Sequence, residues 1–299
     1  MSSVWLVFAF LAAILISASS IVEKKTLLRQ HAMEFSAAVS IFTLLITLPL
    51  FFFTSFQSLS LTIIFLIYVA SLIGAIAFLL TAKALRHMAI SITSPFLVFA
   101  PLFTAILAAI VLGERISLLQ GAGIWVLIIG AYILESHSHE NILEPFKQMF
   151  KIKYVRYIFL ALIFYAIGNV FDKKILGVPA DGGFGVPVLS YIALAHFFTA
   201  INFILMMLIF HDGFQGIEKS IKHNWKWLLA IAVLLVGSRL SYQYALSLPG
   251  VLVSLLIPIK RLSSLFSTLI GGELFREEHI LRKSLACVVM IIGAILLVM

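Results

Sequence analysis

The chain has 299 residues, of which 62% are hydrophobic and 11% charged, and its mean hydropathy is +1.14. A water-soluble globule of that composition could not cover its apolar surface, so a soluble enzyme or regulatory domain is excluded and the bilayer must be the solvent. The formal charge of +8 needs no nucleic acid, because basic loops beside a membrane are ordinary.

A transmembrane helix takes roughly 20 apolar residues. Runs of that kind fall at 4–22, 35–54, 61–82, 90–112, 116–134, 155–176, 188–210, 225–247, 249–271 and 283–299, which predicts ten spans. Stretches such as WVLIIGAYIL do not alternate apolar with polar residues, so a β-barrel is excluded in favour of a helical bundle. The first run has no basic segment before it and is followed by Glu23-Lys24-Lys25; it is expected to remain a span and not to be cleaved as a signal peptide. Cys287 is the only cysteine and lies inside the last run, so no disulfide framework exists. Residues 135–153 form a polar linker. The His137-Ser138-His139 stretch there, flanked by Glu135 and Glu140, reads as solvated chain, because nothing nearby completes a metal site. No metal and no cofactor is expected.

The chain repeats itself. ASSIVEKK (18–25) matches IGNVFDKK (167–174), LGERI (112–116) matches GGELF (271–275), and IIGAYIL (128–134) matches IIGAILL (291–297), in the same order. Residues 1–134 and 154–299 are therefore two copies of a five-span unit. Five is odd, so the copies enter the membrane in opposite directions. The expected fold is an all-α membrane protein of two inverted repeats, an architecture that places a site near the midplane between the halves.

The basic residues are distributed unevenly. Connections after odd-numbered spans hold fifteen, connections after even-numbered spans hold three, and Arg239, Lys260 and Arg261 remain inside spans. A cation at mid-bilayer costs roughly 2.5–3.5 kcal/mol on insertion scales, and such residues normally face water and mark a pathway. All 13 acids fall in connections or at span ends. Two readings follow. The three cations bind an anion, Arg suiting bidentate carboxylate or phosphate and Lys acting as a point charge; or one of them pairs structurally with Asp172 or Glu23, which occupy equivalent ends of spans six and one. Tyr242, Asn169 and His196 are the polar side chains expected beside them in a substrate site, and Glu23 and Asp172 are candidates for coupling. Pro95, Pro101 and Pro258 each remove a helix hydrogen bond and mark the fourth span of each half as a place to bend.

The segment from Ala82 to Leu134, with its Ala-Leu pair, its prolines, Gly113-Glu114 and a glycine-bearing fifth span, resembles the end of an EamA module. YALSLPG, LLIPIKR, GGE and IIGAILL repeat those features in the second half. The whole chain is similar to ten-helix members of the drug/metabolite transporter superfamily, and the Lys260-Arg261 pair also resembles the triose-phosphate and nucleotide-sugar translocator branch. The resemblance implies a multi-pass carrier of the cell membrane with both termini cytoplasmic, although the basic-loop count argues for the opposite orientation. The expected function is secondary transport of a small, anionic organic metabolite by alternating access. The alternative within the same class is a general amino-acid or metabolite exporter. An integral-membrane enzyme would need a nucleophile–base pair, and a channel a carbonyl filter; neither is present in the sequence. Expected partners are the bilayer and the substrate, with a homodimer compatible with the pattern.

Overall fold

The computed structural model describes residues 4–27, 30–54, 59–87, 99–135, 153–263 and 280–299. Within them the α-helices are α1 Val4–Leu27, α2 Ala32–Thr47, α3 Leu61–His87, α4 Ala100–Val111, α5 Leu118–Glu135, α6 Lys153–Leu176, α7 Val188–Phe210, α8 Gly213–Ser247, α9 Val253–Lys260 and α10 Ile280–Val298. No strand occurs among the described residues. Six helical segments are long and apolar enough to cross a bilayer, and shorter apolar helices lie at Ala100–Val111, Leu118–Ile133 and Val288–Leu297.

The apolar runs locate the helices, and local chemistry moves their ends. Helix α2 tightens into a 3-10 turn at Leu48–Phe53, where Pro49 stands at the start. Proline has no amide hydrogen to continue the α ladder, but at a helix start none is needed. The same reason corrects the expectation for Pro101: it occupies the first turn of α4 and so breaks no bond within the described helix. Pro95 and Glu273 lie outside the described residues, as does the linker from 136 to 152. Residues 213–223, expected to be a connection, are helical and join the eighth span across a kink at Asn224 (φ −136°, ψ 18°). The ninth span starts later than expected, since residues 249–252 form a turn; α9 runs Val253–Lys260, and the expected end at 271 lies outside the described residues. Pro258 lies inside α9, and beyond it the amides of Arg261 and Leu262 bond three residues back, to Pro258 and Ile259, at 3.0 Å each.

Helix α1 packs on α8, α3 on α6, α2 on α7 and α8, α7 on α3, α4 on α6 and α9, α9 on α1, and α5 on α10. Small residues allow the closest approaches. The Ser238 hydroxyl on α8 donates to the Ala12 carbonyl of α1 at 2.9 Å. Between α5 and α10, a Cβ on Gly123 would stand 2.9 Å from the Gly293 carbonyl oxygen, and one on Gly130 would stand 3.1 Å from the Ala286 carbonyl oxygen. The Gly293 position is equally tight, 2.6 Å from the Leu127 nitrogen.

The connections gather into two ends. At the first end, the α4–α5, α6–α7 and α8–α9 connections meet. The Glu114 carboxylate, just past α4, accepts the amides of Val253 (2.9 Å) and Ser254 (3.1 Å) and the Ser254 hydroxyl at 2.5 Å, capping α9. Asp181 accepts the Gly250 amide at 2.8 Å and lies 3.7 Å from Lys173, whose Nζ also donates to the Leu246 carbonyl at 3.4 Å. At the second end, the α1–α2 and α7–α8 connections meet. Gln30 and Ser220 exchange hydrogen bonds of 3.3 and 3.1 Å. The rings of His31 and His211 lie 4.3 Å apart. Partial burial, then the nearby His211, Arg86 and Lys83, pushes His31 down to about 4. The ring of His87 stacks on that of Tyr154 at 4.5 Å, which places the end of α3 beside the start of α6.

Candidate substrate-binding site

Three helical spacings build the site. Tyr165, Asn169 and Asp172 recur every three or four residues and share one face of α6; Arg239 and Tyr242 do the same on α8. Helix α9 enters from the first end and carries Lys260 at its last position, with Arg261 as its C-cap. Helices α4, α7 and α3 contribute Thr104, Tyr191, His196 and Gly74.

The polar contacts form two linked groups. In one, Asn169 Nδ2 donates to Thr104 Oγ1 at 3.1 Å and the Tyr242 hydroxyl donates to Asn169 Oδ1 at 3.4 Å. Lys260 Nζ stands over the Tyr242 ring, 4.3 Å from its centroid. In the other, the Tyr191 hydroxyl donates to the Asp172 carboxylate. The charges of Arg239 and Lys260 both reach Asp172, and the charges of Arg239, Arg261 and Asp172 all reach Lys260. Arg239 lies against Gly74 of α3, its Nη2 3.9 Å from where a Cβ there would be. A larger residue at 74 would crowd the guanidinium.

Most of the expected residues converge. Lys260, Arg261, Arg239, Tyr242, Asn169 and Asp172 belong to this cluster, and Lys260, Arg261, Arg239, Asn169 and Asp172 are half-buried while Tyr242 is buried. His196 is buried within the field of Arg239, and its Nδ1 has no hydrogen-bond partner among the described residues. Glu23 lies apart from the centre: it accepts a 2.6 Å bond from Ser19 one turn earlier, and its charge reaches the cluster at Tyr165, beside Thr81. The described ion pairs are Lys173–Asp181, His211–Asp212 and Lys222–Glu218, none of which includes Arg239 or Lys260.

Asp172 was expected at the end of span six as a possible partner of the cations; it lies one turn before the end of α6, and the charges of Arg239 and Lys260 reach it. Helix α6 runs on through Asp172-Lys173-Lys174 because Lys173 is buried and bonded, so the charged triplet does not end it. Lys260 was expected near the middle of a continuous span. It sits at the C-terminal end of the described helix, where the helix dipole favours a cation. Counting residues from Leu176, Ser247 and Val253 at 1.5 Å each, Asp172, Asn169, Arg239 and Lys260 lie about 6–12 Å in from the first end. That is less than half of a hydrocarbon core about 30 Å thick.

Thr104, Tyr165 and Tyr191 were missed. Tyr165 was readable from its spacing to Asn169 and Asp172. Thr104 and Tyr191 were not, since a hydroxyl in an apolar run has no local signature of its distant partner.

An all-helical chain with several membrane-length apolar helices is an integral, multi-pass membrane protein. Residues 3–136 match the model of the EamA-like transporter family. No curated protein matches the chain. A crystal structure described only as that of a protein is similar at a TM-score of 0.72 and 13% sequence identity, over 99% of this chain and 96% of that one. This likeness shows a shared fold and says nothing of substrate.

Proposed function

We propose that the chain is a secondary carrier that moves a small organic anion by alternating access between two inverted five-helix halves. The observation that carries this is the placement of Arg239 and Lys260 within electrostatic reach of one carboxylate, Asp172, with Arg261 beside Lys260. Arg239 and Lys260 against one carboxylate leave a positive excess that an anion neutralises. Arg239 supplies a planar fork for carboxylate or phosphate, Lys260 a point charge. The hydroxyls of Tyr242 and Tyr191 and the Asn169 amide orient the rest of the molecule.

The helix pairings support the inverted repeat. Exchanging the first five helices with the second five turns α1–α8 into α6–α3, α4–α6 into α9–α1 and α2–α8 into α7–α3, while α2–α7, α4–α9 and α5–α10 map onto themselves. A two-fold relation between halves requires this pattern, and carriers built so bind near the repeat interface. Asp172 favours one second reading: an amino acid could place its carboxylate on the cations and its ammonium on Asp172, as an exporter of amino acids would need.

The test is uptake of labelled dicarboxylates, phosphorylated three-carbon acids and amino acids into proteoliposomes. Arg239→Ala and Lys260→Ala are each expected to lower uptake of the preferred anion by ~100-fold or more, as loss of a buried charged contact does, with helicity and size profile unchanged. Unchanged uptake in both variants removes the cluster from the transport path. Asp172→Asn separates the two readings: anion uptake survives it, and amino-acid uptake does not.

The orientation taken with this reading has both termini in the cytoplasm at the cell membrane, following the family resemblance. The basic-loop count favours the reverse. A C-terminal reporter active only outside the cytoplasm decides the matter.

A further inference from the structure

At the second end of the bundle, Glu34, His211 and Asp212 each present one ligand atom, and the three atoms lie within 4.8 Å of one another. Glu34 stands in the first turn of α2, His211 caps the end of α7 in an extended conformation, and Asp212 precedes α8. Asp212 holds the N-cap position of α8, yet its side chain accepts no cap hydrogen bond. Its carboxylate instead lies 3.5 Å from His211 Nδ1. That nitrogen is buried and has no hydrogen-bond partner among the described residues. Room for Glu34 comes from Gly216 of α8, where a Cβ would stand 3.2 Å from Glu34 Cγ. The His31 ring lies 4.3 Å from that of His211 and packs against it.

We propose that Glu34, His211 and Asp212 bind a divalent first-row cation, with Zn²⁺ held more tightly than Mn²⁺. One imidazole and two carboxylates suit such ions, and the order of affinities for a mixed nitrogen–oxygen site places Zn²⁺ above Mn²⁺. Tetrahedral bonds of about 2.0–2.2 Å set ligand atoms about 3.3–3.6 Å apart, so the side chains must close by up to about 1.5 Å by rotamer adjustment, and a fourth position is left for water. Lys83 and Arg86, whose charges reach the neighbouring His31, weaken the site relative to a closed structural zinc centre. Glu34 belongs to the first half of the chain and His211 and Asp212 to the second, so the ion bridges the halves.

The test is equilibrium dialysis of the full chain in detergent, freed of any histidine tag, against Zn²⁺ and then Mn²⁺, with bound metal measured by mass spectrometry. One Zn²⁺ per chain is expected, with affinity lowered ~10-fold or more in His211→Ala and in Asp212→Asn. Asp212 is exposed, its side chain 73% accessible, so its variant folds even if the His211 variant does not. Replacing His137 and His139 of the linker by alanine is expected to leave binding intact. The proposal is overturned if wild type holds no more zinc than a chelator-treated blank. It is equally overturned if Asp212→Asn binds as tightly as wild type, or if binding disappears with the linker histidines.

Discussion

The two ends of the bundle join the same halves with different chemistry. At the first end, Glu114 carries the join by taking the leading amides and a hydroxyl of α9, while within the second half Asp181 ties Gly250 to the buried Lys173. At the second end, Gln30 and Ser220 exchange neutral hydrogen bonds and Lys25 rests over the Trp227 ring. Hydrogen bonds to an ionised group are roughly twice as strong as neutral ones. Glu114 adds the attraction of a carboxylate for a helix N-terminus. The more strongly joined end is also the one nearer Lys260, Arg239 and Asp172. On the proposed carrier reading, opening at the first end breaks the Glu114 join, and opening at the second breaks the Gln30–Ser220 pair and the Lys25–Trp227 contact.

Substitutions at each end test whether this difference is real, beginning with the largest effect. Glu114→Ala leaves two α9 amides and the Ser254 hydroxyl without their acceptor, and is expected to cost about 2–4 kcal/mol in thermal or denaturant unfolding. Glu114→Gln should recover part of that. Asp181→Ala removes the partner of Lys173, whose side chain is only 7% exposed, but leaves it the Leu246 carbonyl; about 1–3 kcal/mol is expected by the same measurement. At the second end, Gln30→Ala should cost about 0.5–1.5 kcal/mol, the net worth of a neutral pair. Lys25→Ala should cost about 0.5–1 kcal/mol, as exposed cation–π contacts do. If Gln30→Ala destabilises as much as Glu114→Ala, the two ends are held alike and the asymmetry is not electrostatic.

Helix positions were legible because the bilayer imposes a length and a polarity that a single run of residues records. Where the sequence misled, the cause lay elsewhere in the fold. Lys173 looked like the end of a span and is buried, because Asp181 and the Leu246 carbonyl receive it. Residues 213–223 looked like a polar connection, and they form helix because their buried Gly216, Ile217 and Ser220 face α2 and the α1–α2 connection. The site was legible in its charges, since a cation in an apolar run is visible without a structure. Its neutral members were not: the bond from Asn169 to Thr104 joins residues 65 apart in the chain. Glu114 was legible only as part of a motif just past a helix, yet the helix it caps is α9, in the other half.

The tight contact of α5 with α10 has a further consequence. Gly123 and Gly130 stand seven residues apart, as do Ala286 and Gly293. Gly123 meets the Gly293 carbonyl, and Gly130 meets the Ala286 carbonyl. On the inverted-repeat reading these are one contact made twice, the form an isologous homodimer interface takes. A half-length chain carrying this stripe of small residues would fit an inverted second copy of itself along the same line. Fusing two such copies keeps that fit but removes the constraint that both faces share one gene sequence. Each side can then diverge, provided its opposite stays small enough to receive it, so drift along this seam must proceed by paired changes.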